Sequence, residues 1–301
     1  MNTTQYEKPS GALPSPPDKR DRRFYTVSDM VTGSINFPRK YAVSWLPDIK
    51  DQLQTNSCTA FALSYIFQCI YKKVFGESIS FSTGYLYGNR RATEYDGQGQ
   101  IMRDAIKAAS KYGDVFAAYW DNNLEVPDAI NAFEQNFNLL NQSSKKCIKS
   151  YIRLYDMDEA RAHMYKYDLP LFVNTRMNKI NPLIKSNGLH AIICTEYTWD
   201  KFFICQNSWG KNDCPHPKLR FDDFEEIWGV VPMEEIKFKD VTSERWSAGA
   251  IQNAVNDGII AGYPDGTYAP DKSLTREQIA VIWERIKLYC ETHYEKSNKV
   301  N

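Results

Sequence analysis

The sequence has no excess charge of either sign: 37 Lys and Arg balance 37 Asp and Glu over 301 residues. Zero net charge gives no electrostatic case for nucleic acid or for an anionic membrane as partner. No apolar run approaches the roughly 20 residues of a membrane span. The stretch from Met1 to Pro9 has no apolar h-region, so no secretory signal peptide is read. The seven cysteines stand at 58, 69, 147, 194, 205, 214 and 290, with no CxxC. An odd number at wide spacing argues against a disulfide scaffold in a chain this long, and most are expected as small buried hydrophobes. Cys205 with Cys214-Pro215-His216 fits no standard zinc spacing. No metal or cofactor is expected.

Apolar residues make up 43% and charged residues 25%, an ordinary globular composition that excludes wholesale disorder. Length suggests about two domains. Residues 1–36 are polar and proline-rich (Pro14-Ser15-Pro16-Pro17-Asp18-Lys19-Arg20-Asp21) and read as an extended arm. Residues 37–236 read as one α+β domain. Ser57 to Tyr71 is a helix so apolar that it must be largely buried. Ile101–Lys111 and Met157–Tyr167 are further helices. Leu171-Phe172-Val173, His190–Tyr197 and Phe202–Gln206 read as strands, the last two joined by a hairpin turn at 198–201. Helices first and strands later suggest two segregated layers. Residues 237–301 read as helix–loop–helix. Trp246, Ala250, Ile251, Ala254 and Val255 form one stripe, and Ile279, Ile282, Trp283 and Ile286 another. Pro264-Asp265-Gly266 is a turn, and Thr275 with Gln278 forms a capping box. Such a module is too small to bury much core alone. It must dock, repeat or pair with another copy.

Cys58 lies where the long apolar helix begins. A helix N-terminus carries unpaired amides and partial positive charge, which favour a thiolate. Such a nucleophile needs a proton partner, a group that orients that partner, and oxyanion donors. His190 opens an apolar strand, and Asn207 follows the next strand 17 residues on. A hairpin can set them side by side, the Asn carbonyl holding one ring nitrogen while the other faces the thiol. Gln52 can offer its amide to an oxyanion beside the Cys58 N–H.

Gln52 with Asn56-Ser57-Cys58-Thr59-Ala60-Phe61, Leu189-His190-Ala191 and Asn207-Ser208-Trp209-Gly210 together resemble the papain (C1) cysteine peptidase signature, in the same order, over about residues 14–235. The 132 positions from Cys58 to His190 fall within that family's roughly 130–150. The resemblance implies a two-subdomain fold, helical and β-barrel-like. It implies peptide hydrolysis through an acyl-thioester, with Cys58 as nucleophile, His190 as base and acid, Asn207 orienting His190, and Gln52 in the oxyanion hole. It also implies a resting thiolate–imidazolium pair, Trp209 shielding the His–Asn bond, and a substrate strand along Gly97-Gln98-Gly99-Gln100 with Met102, Leu189 and Ala191 beside it. Thr59 replaces the usual tryptophan. Thr55 stands where eukaryotic members have a cysteine, which points to the bacterial type. The arm is too short for the usual inhibitory propeptide, so no classical zymogen is expected, although the arm could still occupy the cleft.

Residues 238–286 resemble one S-layer homology (SLH) repeat, through Phe238-Lys239-Asp240-Val241, Gly258 to Thr267 and Leu274-Thr275-Arg276-Glu277-Gln278. That resemblance implies attachment to secondary cell-wall polysaccharide, with Asp265, Gly266 and Arg276 at the glycan, and a cell-surface or cell-wall location. With no signal peptide read, an intracellular or phage-related role stays open. SLH anchors usually carry three repeats. One repeat implies either a packing piece, with Trp246 and Trp283 in its core, or three chains assembling one unit. Two other functions stand beside the peptidase: a wall-binding or assembly protein whose cleft captures peptides without turnover, and a Cys–His amidase on peptidoglycan stem peptides. The Asn-Ser-Trp-Gly block argues against the amidase.

Overall fold

The computed structural model describes residues 6–19, 21, 37–89, 98–119, 145–233, 238–242, 245–256 and 258–294. Gly97 and most of 20–36 lie outside the described residues. The chain divides into two compact units, Met1–Pro232 and Met233–Asn301. The described part of the arm belongs to the first.

The first unit contains β1 (Ala12–Leu13), β2 (Tyr41–Ala42), α1 (Cys58–Phe75), α2 (Thr83–Gly88), β3 (Gln100–Ile101) and α3 (Met102–Tyr112). It continues with β4 (Ile148–Leu154), α4 (Met157–Tyr167), β5 (Leu171–Arg176), α5 (Met177–Ile180), β6 (Leu189–Tyr197), β7 (Phe202–Gln206), β8 (Lys218–Arg220) and β9 (Phe224–Pro232). The sheet runs β3-β1-β6-β5-β9-β4, with β2 and β7 also on β6 and β8 on β7. Every pairing is antiparallel except β1 with β3.

Strand side chains alternate between faces, and the core divides accordingly. Phe172, Ala191, Ile193 and Trp228 face one cluster, which includes the apolar side of α1 and Met102. Leu171, Val173, Ile192, Cys194 and Ile227 face a second, with Met164, Phe203 and Trp209. Buried on both faces, β5 and β6 read as continuous apolar runs, as internal strands do. Helix α1 buries every residue from Cys58 to Tyr71. Its side chains Phe61, Ile66, Phe67 and Ile70 each contribute about 1.5–3 kcal/mol of burial.

In the second unit α6 spans Ala248–Asn256 and α7 spans Arg276–Tyr294. The capping box is formed: Gln278 N–H donates to Thr275 Oγ1 at 3.2 Å, and Thr275 N–H to Gln278 Oε1 at 2.9 Å. Asp240 accepts the Tyr268 and Ala269 amides at 2.8 and 2.7 Å, pinning the intervening loop. The tryptophans are not a core. Trp246 is 91% exposed and Trp283 59%, because two helices offer too little facing surface to cover them.

Candidate active site

Cys58 is the first residue of α1 and His190 the second of β6. Both are fully buried. The Ala191 N–H donates to Cys58 Sγ at 3.4 Å, which brings the start of β6 onto the start of α1. The β6–β7 hairpin carries Asn207 back beside His190, and His190 Nε2 meets Asn207 Oδ1 at 2.7 Å. Asn207 Nδ2 donates to the Cys214 carbonyl and Oδ1 accepts the Ser208 amide, so Oδ1 is the acceptor and Nε2 carries the proton. His190 Nδ1 is then a bare acceptor, with no hydrogen-bond partner among the described residues. The Trp209 ring lies 4.4 Å from the imidazole, tilted by 33°.

Gln52 joins the same loop. Its Oε1 accepts the Ser208 hydroxyl at 2.7 Å, its backbone N–H reaches the Ser208 carbonyl at 2.8 Å, and its Nε2 donates to the Thr55 carbonyl at 2.8 Å. A carboxamide has two N–H groups, so one is left. The neighbouring Leu53 adopts a left-handed φ of 54° in the turn that aims this side chain.

The cleft is filled by the chain's own arm. Strand β1 inserts between β3 and β6, with Ala12 opposite both Gln100 and Leu189. The Gln100 N–H donates to the Gly11 carbonyl at 2.9 Å. A Cβ on Gly11 would lie 2.1 Å from the Asn56 carbonyl oxygen and 2.9 Å from Cys58 Sγ, so only glycine fits over the thiol. Gly99 has a φ of +82° and faces the Gly11 carbonyl, which a Cβ there would meet at 2.6 Å. Upstream, Lys8 pairs with Asp213 at 2.9 Å and sits 5.3 Å from the Trp209 ring centroid. The Tyr6 hydroxyl donates to Asp213 at 3.0 Å. Downstream, Arg103 pairs with Asp21 at 3.1 Å. In place of an incoming substrate along residues 97–100, the structure shows this internal strand parallel to β3.

The seated arm sets the electrostatics. Burial pushes the Cys58 thiol up, opposed by the Ala191 amide. Burial lowers the His190 imidazole to about 4, against the raising effect of Asn207, with Lys8 lowering it further. With the arm seated, both shifts favour the neutral forms and oppose the ion pair that the resemblance implies.

The structure thus gathers Cys58, His190, Asn207, Trp209 and Ala191, ties Gln52 to them through Ser208, and sets Gly99, Met102 and Leu189 around the arm. Sequence reasoning missed Lys8, Gly11, Ala12 and Asp213. Their only signal is that they lie in an otherwise featureless arm and loop. In the second unit Asp265 and Gly266 form a turn, closed by Asp265 Oδ1 accepting the Thr267 amide at 3.0 Å. Arg276 stands exposed at the start of α7. None of the three lines that unit's groove of about 630 Å³, whose walls include Tyr263, Tyr268, Lys272, Gln278 and Arg285.

The family model for the S-layer homology domain matches residues 237–280. This region is 45% identical over 47 residues to a cellulosome-anchoring protein of Acetivibrio thermocellus, covering 16% of this chain and 10% of that protein. It is also 45% identical over 49 residues to the S-layer protein EA1 of Bacillus anthracis, covering 16% and 6%. The chain spans a tenth or less of the length of these curated relatives. Among solved structures the first unit is similar to xylellain, a cysteine protease from Xylella fastidiosa, with a TM-score of 0.61 and 19% identity, covering 76% of this chain and 98% of that one. It is also similar to digestive procathepsin L 3 of Tenebrio molitor larval midgut, with a TM-score of 0.50 and 12% identity, covering 76% of each chain. At such identities the likeness is one of fold. The chain therefore joins a papain-like α+β fold to a C-terminal S-layer homology domain.

Proposed function

We propose that the chain is a cysteine peptidase, held closed by its N-terminal arm and attached to the cell wall through its SLH domain. The observation that carries the reading is the His190–Asn207 bond at 2.7 Å, which leaves Nδ1 unprotonated on the residue next to Ala191, whose amide binds the Cys58 sulfur. With the arm withdrawn, Nδ1 takes the Cys58 proton and the thiolate attacks the peptide carbonyl carbon. The Cys58 N–H and the second Gln52 N–H receive the oxyanion. His190 returns the proton to the leaving amine, and water then attacks the thioester with His190 again as base, releasing the acid and the thiol.

Secondary cell-wall polysaccharide is the proposed partner of the SLH domain, and the cell surface the proposed location. A single repeat with large apolar side chains exposed supports assembly of three chains into one glycan-binding unit.

The test is hydrolysis of a fluorogenic peptide library by full-length wild type, Gly11→Val and Cys58→Ala, under reducing conditions near neutral pH. Gly11→Val should cleave faster than wild type, and Cys58→Ala should be silent. The fully enclosed Cys58 also supports a second reading, capture of a peptide strand without turnover. Silence of a folded Gly11→Val variant would favour that reading, and turnover by Cys58→Ala would end the proposed mechanism.

A further inference from the structure

Two residues missing from every motif continue a row from Ala191 on the cleft face of the sheet. Asn174 pairs with Ala191 on β6 and with Glu226 on β9. Directly opposed residues point to the same face, and Ala191 belongs to the cluster that contains Cys58, Ala12 and Met102. Asn174 and Glu226 therefore lie under the arm. The pairing of β5 with β9 shifts register between Asn174 and Thr175, and such bulges re-aim side chains beside active sites.

Both are polar and buried, with Asn174 fully covered and Glu226 4% exposed. Asn174 Oδ1 accepts the Glu226 amide at 3.0 Å, which fixes Nδ2 as the outward donor. Nδ2 has no partner among the described residues. An unpaired buried N–H is costly, so an apolar residue here would suit the fold alone better. Glu226 is bound by Arg153 through Oε2, which balances its charge. Its other acceptor capacity is taken up by the arm: Ser15 Oγ donates to Oε1 at 3.1 Å and Ser15 N–H to Oε2 at 3.3 Å. Ser15 lies four residues beyond Gly11, within about 13 Å of extended chain from the thiol. Its hydroxyl and amide show that Glu226 can take donors from a chain lying in the cleft.

We infer that Asn174 and Glu226 form a specificity pocket for a substrate side chain that both donates and accepts hydrogen bonds, a carboxamide (Gln or Asn) above all. Its NH2 replaces Ser15 on Glu226 Oε1, and its oxygen takes the free Asn174 N–H. An aliphatic chain leaves both protein groups unpaired, a carboxylate meets Glu226, and a cation meets Arg153. The inference rests on the peptidase reading for its substrate, but the pocket itself is a matter of binding.

The test uses the full-length Gly11→Val chain, with the arm displaced, and peptides carrying Gln, Asn, Leu, Glu or Arg at each of the three positions before the scissile bond. At one position Gln or Asn should exceed Leu by about tenfold in kcat/KM, the worth of two ordinary hydrogen bonds. Glu226→Gln and Asn174→Val should each reduce that ratio severalfold. A flat profile, or Leu or Arg preferred at every position, overturns the pocket. If no peptide is cleaved, binding of the same labelled peptides to the full-length Cys58→Ala/Gly11→Val chain decides by fluorescence polarisation. Tighter binding of Gln or Asn peptides sustains the pocket while the peptidase reading fails, and absent or unselective binding overturns the pocket too.

Discussion

His190 and His163 are both fully buried, yet only one has a reason to be reactive. His163, on α4, is lowered to about 3 by burial, and a Cβ on Gly229 would lie 2.4 Å from its ring, so it fills core space. His190 is lowered to about 4 by burial, but its Nε2 is bonded to Asn207 and the next residue, Ala191, binds the Cys58 sulfur through its amide. Both folded-state values lie below the 6.5 of a free imidazole. The unfolded chain therefore binds more protons between those values, and stability rises with pH across that window. Each histidine should withdraw about 3 kcal/mol as pH falls from about 6.5 to 4. Urea unfolding of the full chain at several pH values measures this. His163→Gln should flatten the slope by about half, and an unchanged slope would show that His163 protonates without penalty. The sequence distinguished the two histidines because Asn207 and Cys58 stand at set distances from His190. It could not show that the thiol is shifted up and the imidazole down, since that depends on the burial of both.

Among the elements, β1 determines whether the site is open. It is two residues long, as is β3. Neither has a periodicity to read, and each exists only because the other strand and Leu189 provide partners. The same limit hid the Asn174–Glu226 row, which arises from registers across three strands. In contrast, α4 spans Met157–Tyr167 as its sequence pattern indicates, and α1 begins at Cys58 and runs one turn beyond Tyr71 to Phe75. Strand β4 was not legible, because Ser150 and Tyr151 break its apolar alternation. The arm makes a sharper prediction than its length suggests. Valine at position 11 would place a methyl-bearing carbon 2.1 Å from the Asn56 oxygen in the seated arm, closer than backbone atoms tolerate, so the arm must shift off the thiol at this point. Iodoacetamide should then alkylate Cys58 in full-length Gly11→Val at least tenfold faster than in wild type. Peptide mapping separates Cys58 from the exposed Cys290. Equal rates would mean that β1 does not limit access to the thiol.

At the scale of the whole molecule, the SLH domain leaves an unusual amount of apolar surface uncovered. Leu274, Ile279, Val281, Trp283 and Leu288 are each more than half exposed, with Trp246 more so. Soluble monomers rarely leave such side chains grouped. On α7, at about 100° per residue, Ile279 and Trp283 fall on one side and Val281 and Leu288 on roughly the opposite side. A two-fold dimer would use one self-complementary patch. Two separate patches suit a heterologous contact, which forms a ring where its rotation closes, and three repeats make the complete unit in the family that this domain resembles. The full chain should therefore run near three times its monomer mass in light scattering at micromolar concentration. Trp283→Ser should abolish the trimer, and so should Val281→Asp on the other side. Mixed together, these two variants should recover a heterodimer, because each retains the patch that the other has lost. Sedimentation with purified wall polysaccharide should follow the trimer and fail for either variant alone. A wild-type monomer at every concentration that still sediments with the wall would show that one repeat suffices, and that the exposed faces of α7 serve some other contact.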